Sequence, residues 1–263
     1  MNMKTVYLNK FMSSVVAELE MNGQYGTAHV CGSVLRSVMA FGGEGLPVSG
    51  ITPLWLKAYE GYLLHKGGKG LAWNTVSTYM RMLQAVYNRA VVRKLAAFIP
   101  HQFRDVFTGR KADHRRVLER DDMQKLLVER DPDITSPGMA WARACLELMF
   151  RFHGMPFVDL AHLRKSDLKD GYLTLRRRKT GMPLSARVDG RAMQLLERYR
   201  NRDDTSPYLL CFLDGNLEGM AAYRDYQRIL RLLNSRLRVL ALWKKVQGKV
   251  TSYSARHTWA TVG

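Results

Sequence analysis

Apolar residues recur at helical spacing through the first hundred positions and stop at glycines. Residues 5–21 carry Val6, Phe11, Val15 and Leu19 before Asn22-Gly23, the pattern of an amphipathic helix with a defined end. A second helix is predicted over residues 27–41, closed by Gly42-Gly43. The third has the clearest start: Thr52 can accept the orphan amide bonds as N-cap, and Pro53 occupies the first helical position, where a missing N–H costs nothing. It runs to His65 and stops at Gly67-Gly68. A fourth follows Asn74 and carries Tyr79, Leu83, Val86, Tyr87 and Ala90, interspersed with Arg81, Arg89, Arg93 and Lys94. Four helices joined by short loops predict a small bundle.

The pattern lapses over residues 103–120, which are dense in Arg, Lys, His and Asp, include the pair Arg115-Arg116, and predict an exposed linker. A segment crossing a DNA backbone would have the same composition. Helical spacing returns after Glu119, with Met123, Leu126 and Leu127, and again from Ser136-Pro137 to Phe152. Asp170-Gly171 then introduces a strand, Tyr172 to Leu175, followed by Arg176-Arg177-Arg178-Lys179-Thr180-Gly181 and a returning run from Leu184 to Val188. A glycine-containing turn between short alternating runs is a β-hairpin signal. Helices resume over residues 189–200 and 221–246. The expected division is a helical domain over residues 1–105, a basic linker over 106–118 and a second domain over 119–263.

Charge adds a partner to this picture. Lys and Arg number 41 against 23 Asp and Glu, a formal +18 with a pI near 10.1, as expected of a protein that neutralises phosphates. Ribosomal, membrane-surface and heparin-binding proteins share such a balance, so the charge alone says polyanion rather than DNA. With 46% hydrophobic residues the chain can bury a core. Cys31, Cys145 and Cys211 lie far apart, which suggests neither a disulfide framework nor a zinc site, and points to a reducing cytoplasm. Every long apolar segment carries charges, so no membrane role is expected.

The closing residues, Thr251-Ser252-Tyr253-Ser254-Ala255-Arg256-His257-Thr258-Trp259-Ala260-Thr261, resemble the second arginine box of the tyrosine recombinases, in the wording of phage and conjugative-transposon integrases of Bacteroides-like bacteria. The resemblance implies a mainly α protein: an N-terminal SAM-like DNA-binding bundle, then an α+β catalytic domain with a small hairpin or sheet, incomplete at its C-terminus because the family's nucleophilic tyrosine lies beyond Gly263. Residues 51–60 and 74–83 resemble the third and fourth helices of the SAM-like domain. The Asn74-Thr75 start with Tyr79 and Arg81 suggests a helix laid on a DNA groove, whereas Trp55, Leu56 and Tyr59 read as core.

Phosphoryl transfer at a DNA phosphate needs positive charge on the non-bridging oxygens, a donor for the leaving oxygen and an in-line nucleophile. The resemblance implies Arg256 for the phosphate, since its guanidinium suits bidentate contact. It implies Lys179, in its Lys-Thr-Gly setting, as general acid, Arg177 and Arg178 as DNA contacts, and His257 as a supporting residue. Two departures stand out. Gly154-Met155-Pro156-Phe157-Val158-Asp159-Leu160 places proline where the family has its first arginine. Arg151 or His153 could stand in, yet five residues on a helix rotate a side chain by roughly 140°, so Arg151 would need a bend near Gly154 to Pro156. Tyr253 replaces the usual histidine three before Arg256. Its phenol can donate to a phosphate oxygen but, with a pKa of about 10, shuttles no proton near neutrality.

These residues imply the DNA-binding and partial active-site portion of a site-specific recombinase, self-associating on double-stranded DNA, gripping it electrostatically with both domains, and needing no metal, ATP or other cofactor. The chain as it stands is expected to bind DNA without forming a covalent adduct. The competing readings are a non-catalytic DNA-binding protein of integrase descent and a helical RNA-binding protein, though no aromatic stacking motif of the common RNA modules is present.

Overall fold

The computed structural model describes residues 5–111, 118–127 and 136–262, and Arg115-Arg116 lie outside them. The chain divides into two compact units, residues 1–113 and 114–263.

The first unit is a bundle of α1 (Leu8–Met21), α2 (Tyr25–Gly42), α3 (Pro53–His65) and α4 (Trp73–Val92). Each helix turns one apolar stripe inward: Phe11, Met12, Val15 and Leu19 from α1, and Val76, Met80, Leu83, Val86 and Tyr87 from α4. The Thr52 hydroxyl accepts from the Trp55 amide at 3.1 Å, so the predicted cap and its proline start α3 as expected. Leu56 and Tyr59 are fully buried, with Trp55 stacked on Tyr59 at 5.2 Å between ring centroids. Aromatic side chains bury large apolar areas, so Tyr59, with half-buried Trp55 stacked on it, contributes strongly to this core.

The described part of the expected linker departs from its sequence reading. Phe103 and Val106 are buried. Buried Glu60 accepts from the Phe107 amide at 2.6 Å and from Lys57 at 2.6 Å, while Phe107 packs edge-on against Trp73 at 5.3 Å. Residues 101–111 thus complete the first unit. Three apolar side chains spaced among many charges carry no period, which is why the stretch reads as a loop although it covers the bundle.

The second unit contains α5 (Arg120–Leu127), α6 (Pro137–Arg151), α7 (Phe157–Ala161), a sheet of β1 (Leu168–Lys169), β2 (Tyr172–Arg176) and β3 (Pro183–Arg187), then α8 (Gly190–Arg198), α9 (Gly219–Trp243) and α10 (Ser252–Val262). Helix α6 is buried almost all round and packs against α9 and α10. A helix so apolar belongs at the centre of a domain, and Cys145, Leu146, Leu148 and Met149 are fully enclosed. The sheet is antiparallel in the order β1-β2-β3, with Leu173 opposite Ala186 as its buried pair. The hairpin matches the predicted alternation; β1, too short to show a period, had no sequence signal. Cys31 and Cys145 are buried free thiols and Cys211 is exposed. Among the described residues no helix is long and apolar enough to cross a membrane.

Candidate DNA phosphate site

In the second unit a cleft of about 260 Å³ is lined by Lys179 from the β2–β3 turn, by Tyr226, Leu230 and Asn234 from α9, by Pro156, Phe157 and Val158 at the start of α7, and by Thr251, Ser252, Tyr253 and Arg256 around the start of α10. Three side chains singled out by sequence, Lys179, Tyr253 and Arg256, therefore line one cleft although Lys179 lies far from the other two in the chain.

Each is delivered by local chemistry. The β2–β3 turn is closed by Arg177 N–H donating to the Met182 carbonyl at 2.9 Å and Gly181 N–H to the Arg177 carbonyl at 2.8 Å. Gly181 sits at φ 69°, a left-handed conformation that disfavours side chains with a Cβ. Lys179 is exposed at the tip. Asp159, buried in α7, accepts from the Arg178 amide at 2.9 Å and faces the Arg177 guanidinium at 3.7 Å. A buried carboxylate needs such partners, and this one ties the lysine-bearing turn to α7. Sequence reasoning saw Asp159 only as part of a motif, because its partners are supplied by a hairpin that the chain reaches later.

Helix α10 begins at Ser252, so Arg256 lies in its second turn rather than at its opening. Its first amides are held: Ser252 N–H donates to Asn234 Oδ1 at 2.8 Å and Tyr253 N–H to Thr251 Oγ1 at 3.3 Å. Arg256 Nη1 donates to the Gly154 carbonyl at 3.3 Å. His153 and Gly154 both adopt positive φ, 57° and 65°, so the chain does bend between α6 and α7. A Cβ at Gly154 would lie 2.9 Å from the Arg256 Cα, so this glycine is required by both φ and contact. Tyr253 is half-exposed and its ring lies 5.7 Å from that of His257. His257 itself is exposed and does not line the cleft, and His153 stacks on Trp259 at 5.4 Å.

Arg151 is not brought to this cleft. Its Nε donates to buried Glu147 at 3.0 Å and its Nη1 to Asp189 at 2.6 Å, and it lines a separate depression with Leu127, Phe150, Asp189 and Trp259. The bend that was expected to re-aim Arg151 exists, but it follows the residue and turns the chain after it, leaving the side chain against the start of α8. Asp189 is the N-cap of α8, accepting from the Ala192 amide at 2.7 Å. That bond, then the nearby Arg151 guanidinium, holds its carboxyl below the usual range. The stand-in role given to Arg151 by sequence is thus not supported by its placement.

Burial dominates the titration of the groups beside the cleft. It pushes the Tyr226 phenol up to about 12. His162, whose ring is 5.4 Å from that of Tyr226, is pushed down to about 4 by burial and then by the charge of Arg178.

In the first unit, the four groove candidates on α4 separate. Arg81 and Thr75 are exposed, Tyr79 is half-buried, and the Asn74 amide is occupied: it donates to the Lys111 carbonyl at 3.0 Å and accepts from the Lys111 amide at 2.9 Å. Asn74 therefore staples residues 101–111 to the bundle and has no free pair of groups for reading a base edge. An overlooked sequence signal concerns the other unit. From Tyr226 onward the chain has no Asp or Glu, while it carries Arg228, Arg231, Arg236, Arg238, Lys244, Lys245, Lys249 and Arg256, so the sequence that ends by delivering Arg256 to the cleft is strongly positive.

Known proteins share these features. Residues 7–104 match the family of the phage integrase SAM-like domain. The whole chain is similar in structure to a Tn1549 transposon integrase in complex with a circular intermediate DNA, at 15% identity, covering 98% of this chain and 87% of that one with a TM-score of 0.66. It is also similar to a lambda integrase dimer bound to a COC′ core site, at 15% identity, 97% and 86% coverage and a TM-score of 0.62, and to a lambda integrase tetramer bound to a Holliday junction, at 15% identity, 98% and 73% coverage and a TM-score of 0.63. No curated protein matches the chain in sequence. The chain thus has the fold of these integrase structures, and its first unit carries a domain of the phage integrase SAM-like family.

Proposed function

We propose that this chain binds double-stranded DNA and serves site-specific recombination that integrates a mobile element by phosphodiester transesterification. The observation that supports this reading most is the single cleft that joins Lys179, Tyr253 and Arg256. In it Arg256 holds a phosphate through charge-assisted hydrogen bonds, Tyr253 donates from its phenol, and Lys179 protonates the leaving oxygen. Arg81 and Thr75 on α4 extend the contact from the first unit. The relatives of known structure sit on DNA as a dimer and a tetramer, which favours self-association of this chain on DNA.

A second reading, a non-cleaving DNA-binding protein of integrase descent, is favoured by Pro156 and by the diversion of Arg151 into a pair with Glu147 and Asp189. A nicked, labelled duplex incubated with the full-length protein and resolved on a denaturing gel separates the two. A protein-linked band that survives detergent and is lost on protease treatment supports strand cleavage; binding without such a band supports the second reading. No binding to duplex at low salt overturns both.

A further inference from the structure

We propose that Arg178 supplies the second guanidinium to the DNA phosphate faced by Arg256 and Lys179, in place of the arginine missing at position 156. The inference rests on the phosphate-binding reading of the cleft and adds to it the identity of a contact residue. Pro156 stands at the cleft wall and offers no charge. Two candidate replacements are engaged: Arg151 with Glu147 and Asp189, and Arg177 with Asp159. Within the hairpin, Arg176 donates to the Gly181 carbonyl at 3.2 Å, so its guanidinium closes the turn.

Arg178 differs from all three. Among the described residues its guanidinium has no carboxylate partner, and its side chain is exposed. Its backbone is nevertheless fixed, because its amide donates to the buried Asp159 at 2.9 Å. It directly precedes Lys179, which lines the cleft, and its charge reaches the opposite wall: it favours ionisation of Tyr226, a lining residue, and opposes protonation of His162 beside it. An anchored backbone with an unpaired guanidinium is the arrangement that binds a phosphate without first breaking an ion pair. Arg177 and Arg178 thus divide the work of the turn. The first neutralises Asp159, and the second is left for DNA.

Two cations on one phosphate have a measurable signature. Removing one leaves the other to neutralise the phosphate, so most of its contribution to counterion release is lost only when both are gone, whereas cations on separate phosphates each lose their own contribution and act additively. The chain is titrated onto a short fluorescent random-sequence duplex across a series of salt concentrations, comparing Arg178→Ala, Arg178→Lys, Arg256→Ala and the Arg178→Ala/Arg256→Ala pair. Each alanine variant is expected to make the log-affinity against log-salt slope shallower by less than about 1, and the double variant by about 1. Arg178→Lys should restore most of the slope, and thermal melts of Arg178→Ala should match the parent because its guanidinium packs against nothing. A double variant no shallower than Arg256→Ala alone, or one shallower by about 2, overturns the proposal. A flat plot for the parent chain instead overturns the DNA-binding reading beneath it.

Discussion

Arg151 and Arg256 stand at comparable places, each beside the bend between α6 and α7, and their surroundings are opposite. Arg151 is neutralised by two carboxylates, one of them buried. Arg256 is steadied by one backbone carbonyl and opens onto a cleft that holds Lys179 and Tyr253 but no acidic side chain. A guanidinium that must take a phosphate cannot also satisfy a buried carboxylate, because breaking such a pair leaves the carboxylate uncompensated. One arginine therefore reads as structural and the other as available for a ligand, though sequence offered both for the same task.

The sharpest way to break the contrast is Gly154→Ala. The substitution forces a Cβ into a positive-φ position 2.9 Å from the Arg256 Cα, and should lower stability by about 2–4 kcal/mol in urea melts. Weaker duplex binding should accompany it, since the Arg256 backbone must move. Unchanged stability would show that the bend does not depend on this glycine.

Arg151→Ala should cost about 1–2 kcal/mol, because Arg191 still faces Glu147 at 3.1 Å. It should leave the salt dependence of duplex binding intact. Arg256→Ala should do the reverse, shifting stability by less than about 0.5 kcal/mol while weakening duplex binding and making the salt slope shallower by up to about 1. Exchange of these two profiles would invert the comparison.

A smaller effect concerns pH. His162 has its pKa lowered to about 4 against 6.5 in the unfolded chain, so between those values the unfolded state binds the extra proton and stability falls as pH drops. The melting temperature should decline from pH 6.5 toward pH 4, and His162→Phe should flatten part of that decline. An identical profile for the variant would remove His162 from the account. Lys179→Ala should have the smallest effect on stability, within about 0.5 kcal/mol, with the salt slope shallower by about 1. A large stability loss would mean that Lys179 packs within the cleft instead of reaching across it.

Much of this was legible in one dimension. The glycine stops of α1 and α2, the Thr52-Pro53 start of α3 and the β2–β3 hairpin were readable because apolar periodicity and capping are local properties. Lys179 and Arg256 were readable by resemblance, and the cleft brings them together. The stretch from Phe103 to Gly109 was not readable, because its anchors, Glu60, Trp73 and Ser77, lie in earlier helices and show nothing near the segment itself. Asn74 failed for the same reason: an amide on the first turn of a helix looks free until Lys111 returns to it.

The sequence by itself determined the longer helices and the β2–β3 hairpin, how positive the chain is, and which residue types could hold a phosphate. Only the tertiary structure decided how those residues are used. It paired Arg151 with Glu147 and Asp189, bound Arg177 to Asp159 while leaving Arg178 unpaired, and set Arg256 against Gly154 at the mouth of a cleft shared with Lys179. The physical reason is that a charged side chain's role depends on whether an opposite charge lies within a few ångströms, and such neighbours come from distant parts of the chain that meet only when the core has formed.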